Sequence, residues 1–84
     1  MAFAAMTVTL AVAAAQLTAV PTSVANLTMR TRSTNAGTTR VGDATAQNFE
    51  MSAALVVRLG PCDLSTIYAR STNAGDLLDI LYVT

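Results

Sequence analysis

Apolar and polar residues alternate at period two along most of this chain, so strands rather than helices are the predicted unit. In Thr7-Val8-Thr9-Leu10-Ala11-Val12 the residues Val8, Leu10 and Val12 share one face, as in a strand or an extended arm. The competing reading, an alanine-driven helix over residues 10–17, is the less favoured one. Over residues 24–32, Leu27, Met29 and Thr31 point one way and Asn26, Thr28, Arg30 and Arg32 the other, which is the pattern of a half-buried strand.

Turn chemistry separates the remaining runs. Ser33-Thr34-Asn35-Ala36-Gly37 ends in a glycine suited to the left-handed conformation that closes a three-residue hairpin loop, with a return strand expected over residues 38–41. Gly42-Asp43-Ala44 breaks that strand, and residues 44–54 read as a loop in which Phe49 and Met51 pin one apolar edge to the core. Leu55-Val56-Val57-Arg58-Leu59 is a strand stopped by Gly60-Pro61, and residues 65–70 form another. Ser71-Thr72-Asn73-Ala74-Gly75 then closes a second expected hairpin into residues 77–83. In this last strand Leu78, Ile80 and Tyr82 share one face and Leu77, Leu81 and Val83 the other, with Asp79 interrupting. Such a strand is central in a sandwich or covered by another subunit, and the second is expected to contribute.

The hexapeptide RSTNAG occurs twice, at residues 32–37 and 70–75. Two matching surfaces from a duplicated hairpin would explain it, but turn geometry alone selects Asn and Gly at such positions, and that simpler reading is preferred. Asn35, Gly37, Asn73 and Gly75 are therefore the expected turn residues, both glycines with positive φ.

The predicted fold class is all-β: a small antiparallel β-sandwich or jelly-roll-like barrel, with residues 1–15 as an N-terminal arm or strand and residues 16–84 as the single domain. At 84 residues the chain has room for one core only, and chains of this size commonly add disulfides, a metal or a partner subunit. Cys62 is the only cysteine, histidine is absent, and much of the apolar content is alanine, so a partner is the remaining route. Ala13-Ala14-Ala15 before Gln16 resembles a signal-cleavage site, but the first basic residue is Arg30, where a signal peptide needs a positive start. The apolar run is also shorter than the roughly 20 residues of a membrane span. Residues 1–15 are instead expected to be retained and to meet another subunit through Phe3, Met6, Val8, Leu10 and Val12.

Five acids balance five arginines, so no strong field exists to draw nucleic acid or an anionic membrane, and neither partner is expected. Arg30, Arg32 and Arg40 are expected to gather on one hairpin, opposite Asp76 and Asp79, as a solvated face or a polar contact with a neighbouring subunit. No catalytic constellation emerges. Asp76 and Asp79 have an odd offset that sends them to opposite faces of a strand, and Cys62 has no histidine to take its proton. Gly37 and Gly42 neither precede a lysine nor open a helix, which excludes a phosphate loop. Asn26-Leu27-Thr28 matches the glycosylation triplet, a pattern frequent by chance. No enzyme activity, cofactor or metal is predicted.

The order of features resembles a family. Leu17-Thr18-Ala19-Val20, Leu27-Thr28-Met29-Arg30, residues 35–43 (NAGTTRVGD) and Phe49-Glu50-Met51, followed by Leu64-Ser65-Thr66-Ile67-Tyr68-Ala69 and Leu78-Asp79-Ile80-Leu81-Tyr82, resemble the small head decoration, or cement, proteins of tailed bacteriophages. The resemblance covers roughly residues 16–84 and consists of packing and turn signals. It implies a virion protein on the capsid surface whose partners are the major capsid protein and copies of itself. Such a protein stabilises the shell by binding the assembled form, with many equivalent sites acting together. Similar domains occur in phage tails and spikes, so the alternative is a tail or spike β-domain with a carbohydrate-binding role. That role normally shows exposed aromatics, whereas Trp is absent and the aromatics are Phe3, Phe49, Tyr68 and Tyr82. A small secreted enzyme or inhibitor is a further alternative, opposed by the lack of disulfides and histidine. One departure from the family is Ser52-Ala53-Ala54, where its members usually carry a glycine before the middle strand.

Overall fold

The computed structural model describes residues 3–52 and 54–84. Its strands are β1 (Phe3–Thr9), β2 (Ala15–Gln16), β3 (Ser23–Val24), β4 (Asn26–Thr31), β5 (Thr39–Gly42), β6 (Phe49–Met51), β7 (Val56–Leu59), β8 (Cys62–Asp63), β9 (Tyr68–Ser71) and β10 (Leu77–Val83). One sheet has the order β1-β10-β4-β7 and a second the order β2-β9-β5-β6, while β3 and β8 form a short ribbon. All pairings are antiparallel. The all-β reading of the sequence therefore holds.

The period-two pattern becomes the core directly. Leu27 and Met29 of β4 and Leu78 and Ile80 of β10 are buried in register with one another's strands. The second sheet supplies Val41, Met51 and Ala69, and Leu10, Leu17, Val24, Leu64 and Ile67 complete the cluster. Residues 77–83 lie between β1 and β4, with Leu78 and Ile80 on the buried face and Leu81 exposed on the other.

Several details differ from expectation. Residues 10–17 are not helical: after Leu10 the chain bends and forms only the two-residue β2. Residues 3–9 are a strand of the sandwich and not a free arm, because β1 pairs with β10 from Phe3↔Val83 to Thr9↔Leu77. The strand expected over residues 65–70 starts only at Tyr68, since Leu64–Thr66 is a 3-10 turn. Asp63 causes this: its Oδ1 accepts from the Ser65 N–H and hydroxyl, both at 2.8 Å, and from the Thr22 N–H at 3.0 Å. Local side-chain bonds of this kind outcompete a strand ladder. Met51 is buried as expected, whereas Phe49 at the other end of short edge strand β6 is 53% exposed.

The two RSTNAG segments depart furthest from expectation. Neither copy closes a hairpin; the first crosses from β4 in one sheet to β5 in the other, and the second returns from β9 to β10. Because β4 pairs with β10 and β5 with β9, the two crossings lie side by side. Asn and Gly favour any sharp reversal, and long-range packing decides which strands then pair. Of the two repeat glycines only Gly75 has positive φ, at 96°. Gly37 is needed for space, since a Cβ there would lie 2.6 Å from Thr72 Oγ1 and 2.7 Å from the Asn73 nitrogen.

The crossings are tied by reciprocal bonds. Thr38 N–H donates to Thr72 Oγ1 at 2.9 Å, and Thr72 N–H to the Thr38 carbonyl at 3.1 Å. Asn35 exchanges two 2.9 Å bonds with the Leu77 backbone, giving from Nδ2 and accepting at Oδ1. Buried Asp76 accepts from Ala36 N–H at 3.1 Å, Gly37 N–H at 2.9 Å, Ser71 Oγ at 2.7 Å and Asn73 Nδ2 at 2.9 Å. The Asn73 bond, followed by those from Ser71, Gly37 and Ala36, holds the Asp76 carboxyl down at about 2 despite its burial.

Candidate interaction surface

The outer face of the β1-β10-β4-β7 sheet carries a polar cluster built on Asp79. Alternation turns Asp79 outward from β10, and the register places Arg30 of β4 opposite it and Thr7 of β1 on its other side. Arg32 grips Asp79 with two bonds, Nε to Oδ2 at 3.0 Å and Nη2 to Oδ1 at 2.8 Å. Arg30 Nη2 adds a 3.0 Å contact to Oδ2, and Thr7 Oγ1 donates to Oδ1 at 3.0 Å. The Arg32 fork holds the Asp79 carboxyl well below the usual carboxylate range, with Arg30 and Thr7 adding to it. Asp79 in turn raises the Arg32 guanidinium.

Two arginines on one carboxylate leave a local positive excess. The Arg30 side chain is 61% exposed and that of Asp79 19%, so the cation faces outward over a shielded anion. Around the cluster lies an open depression of about 540 Å³, lined in part by Ala5, Thr28, Val56 and Leu81. Val56 and Leu81 are both exposed. The result is a shallow depression in which a positioned guanidinium sits beside exposed apolar side chains.

No protein-family model, no curated protein and no solved structure matches this chain. Its surface must be read from its own residues.

Sequence reasoning placed some of these residues correctly and others not. Arg30 and Arg32 do meet, but Arg40 lies on the other sheet, where it pairs with Glu50 across β5·β6. Arg40 is separated from the other two because β4 and β5 lie in different sheets. Asp76 and Asp79 do not form one acidic stretch: the first is sealed in the crossing loops and the second is the outward counter-ion. Among the residues expected to meet a partner, Leu10 is buried, and Met6 and Val8 pack against the chain's own core, because β1 is a strand of the sandwich. Val12 is exposed, and the side chain of Phe3 lies outside the described residues. Asn35 and Asn73 are at turns, with their amides committed to the crossing loops.

Thr7 and Val56 had no signal as separate residues, whereas Leu81 was marked by the second apolar face of residues 77–83. Knowing that β10 is flanked by β1 and β4 would have brought Thr7 and Arg30 to Asp79. Cys62, on β8, is half-buried; burial and neighbouring Asp63 push its thiol up, away from the reactive thiolate. Among the described residues no three His, Cys, Asp or Glu side chains gather into a metal-binding group. No described helix is long and apolar enough to cross a membrane.

Proposed function

We propose that this chain is a virion structural protein, a capsid decoration protein that docks on the outer surface of a phage head and stabilises contacts between capsomers. The observation that carries the reading is the Arg30–Asp79–Arg32 cluster set beside exposed Leu81 and Val56 on an open sheet face. This is a surface for adhesion, with a directional charge to set the partner's register. Binding to the assembled shell and not to separated subunits stabilises the shell by mass action, and repetition over many sites multiplies the effect. Ala54 remains the departure from that family: at the segment where its members usually carry glycine, this chain holds alanine at φ 62°, a conformation that glycine takes without steric cost.

The test is cosedimentation with heads of the encoding phage from which this protein has been removed. Saturable binding is expected, weakened at least tenfold by Leu81→Arg or Arg30→Glu while the circular-dichroism spectrum stays unchanged. Absence of binding to such heads, or binding that neither substitution alters, would overturn the proposal. Binding to tails or to a glycan array in place of heads would favour the tail or spike alternative.

A further inference from the structure

The two main sheets end in β1, β7, β2 and β6, and three of these edges are blunted. Strand β2 has two residues; β6 has three and carries Glu50; β7 carries Arg58 and runs into Gly60-Pro61. Short length, charge and proline are the usual means by which proteins keep sheet edges from pairing. Strand β1 has none of them: Phe3-Ala4-Ala5-Met6-Thr7-Val8-Thr9 is seven residues long, uncharged, and in unbroken register with β10.

The direction of its free groups follows from one bond. Leu10 N–H donates to the Asp76 carbonyl at 2.7 Å, continuing the β1·β10 register by one step. Antiparallel partners alternate between hydrogen-bonded and non-bonded pairs, so Ala4, Met6 and Val8 bond to β10. The N–H and C=O groups of Ala5, Thr7 and Thr9 consequently face the outer edge of the sheet.

We propose that two copies of this chain join edge to edge through β1, antiparallel about a two-fold axis at Met6, so that one sheet runs continuously through both. In this register Ala5 of each copy lies opposite Thr7 of the other and Phe3 opposite Thr9, which uses the outward N–H and C=O groups along the whole strand. On the inner face Met6 meets Met6 and Ala4 meets Val8, a small residue against a larger one. The sequence is thus its own complement, and no like charges oppose each other. Met6 and Val8 are only partly buried in a single copy, and the second copy extends the apolar layer over them. A second β1 is favoured over a foreign strand because β1 offers no charge by which to select one. An isologous contact of this kind also closes at two copies and does not propagate. The inference concerns the edge and not the outer face, and stands independently of the capsid reading.

Sedimentation velocity of the full chain at micromolar concentration tests it, and a dimer is expected. Ala5→Pro removes an outward-facing N–H and leaves the β1·β10 ladder its donors, so it should raise the dimer dissociation constant at least tenfold with an unchanged circular-dichroism spectrum. Ala5→Lys, which puts a charged side chain on the outer face of this edge strand, opposite Thr7 of the second copy, without constraining the backbone, should do the same if the proline variant folds poorly. For the register, Met6→Cys combined with Cys62→Ser should give a disulfide-linked dimer on mild oxidation, because non-bonded antiparallel pairs bring Cα atoms within disulfide range. A monomer at high micromolar concentration, or a dimer unaffected by Ala5→Lys, would overturn the proposal. A dimer that does not cross-link at position 6 would overturn its register.

Discussion

Asp76 accepts the Gly37 N–H at 2.9 Å, joining the end of one RSTNAG segment to the residue that follows the other. One carboxylate thereby locks both crossings between the sheets, and the two glycines of the repeat do different work. Gly37 leaves room for Thr72 and Asn73, whereas Gly75 has open space around its missing Cβ and serves only its φ of 96°.

Gly37→Ala should therefore be the more damaging of two equivalent substitutions. Overpacking against backbone costs about 1–3 kcal/mol, while Ala at position 75 faces about 1–2 kcal/mol of backbone strain. Urea denaturation checks the order. A smaller loss at Gly37 than at Gly75 would mean that the two loops separate easily.

Low pH should loosen the same lock. The folded Asp76 carboxyl sits at about 2, below its ordinary value of 3.8, so its stabilising effect is complete above about pH 4 and fades as pH falls toward 2. Asp63 and Asp79 are shifted in the same direction by their own donors and add to the trend. Asp76→Asn places an NH₂ donor among four donors, which lowers stability at neutral pH and flattens the dependence between pH 5 and pH 2. Urea midpoints across that range give the result, and an unchanged slope in the variant would remove Asp76 as a source.

Ala54→Gly should stabilise the chain by about 0.5–1 kcal/mol, because Ala54 pays the steric cost of φ 62° in the folded state. The gain is smaller than the strain because glycine also loses more backbone freedom on folding. A thermal melt that falls on substitution would contradict it.

What the sequence made legible follows from the range of the interactions involved. The alternation of Leu27, Met29 and Thr31 with Thr28 and Arg30 is a local property, and it yielded both β4 and its buried face. The turns at Asn35 and Gly75 were local as well. The pairing of β4 with β10, and not with β5, depends on residues almost fifty positions apart, so the local turn signal suggests a hairpin where the chain crosses between sheets and carries Arg40 away from Arg30. The part played by Asp76 is not legible locally, because nothing in its own segment shows that Ala36 and Gly37 lie against it.

Met51 and Phe49 offer a test of where the β6 edge is anchored. Met51 is 1% exposed, so Met51→Ala should cost about 2–5 kcal/mol through lost burial and a residual cavity. Phe49 is mostly exposed, and Phe49→Ala should stay within about 1 kcal/mol. Equal losses in chemical denaturation would place Phe49 in the core.

Deletion of residues 1–9 should unfold the chain. An arm contacting only another subunit would be dispensable for folding, but β1 covers one side of β10 along its full length and places Met6 and Val8 against the core. Removing it turns central β10 into an edge strand of seven residues, Leu77–Val83, with Asp79 as its only charge and Leu78 and Ile80 no longer covered from that side. Long apolar edges of this kind pair with other chains. A small domain has only a few kcal/mol of stability to lose, and the burial of two apolar side chains accounts for about that much. The truncated chain is thus expected to lose its β-sheet circular dichroism at micromolar concentration, or to aggregate, whereas Ala5→Lys in the full chain keeps the fold. A soluble truncated protein with an intact β spectrum would show that β1 belongs to an accessory arm and not to the sandwich.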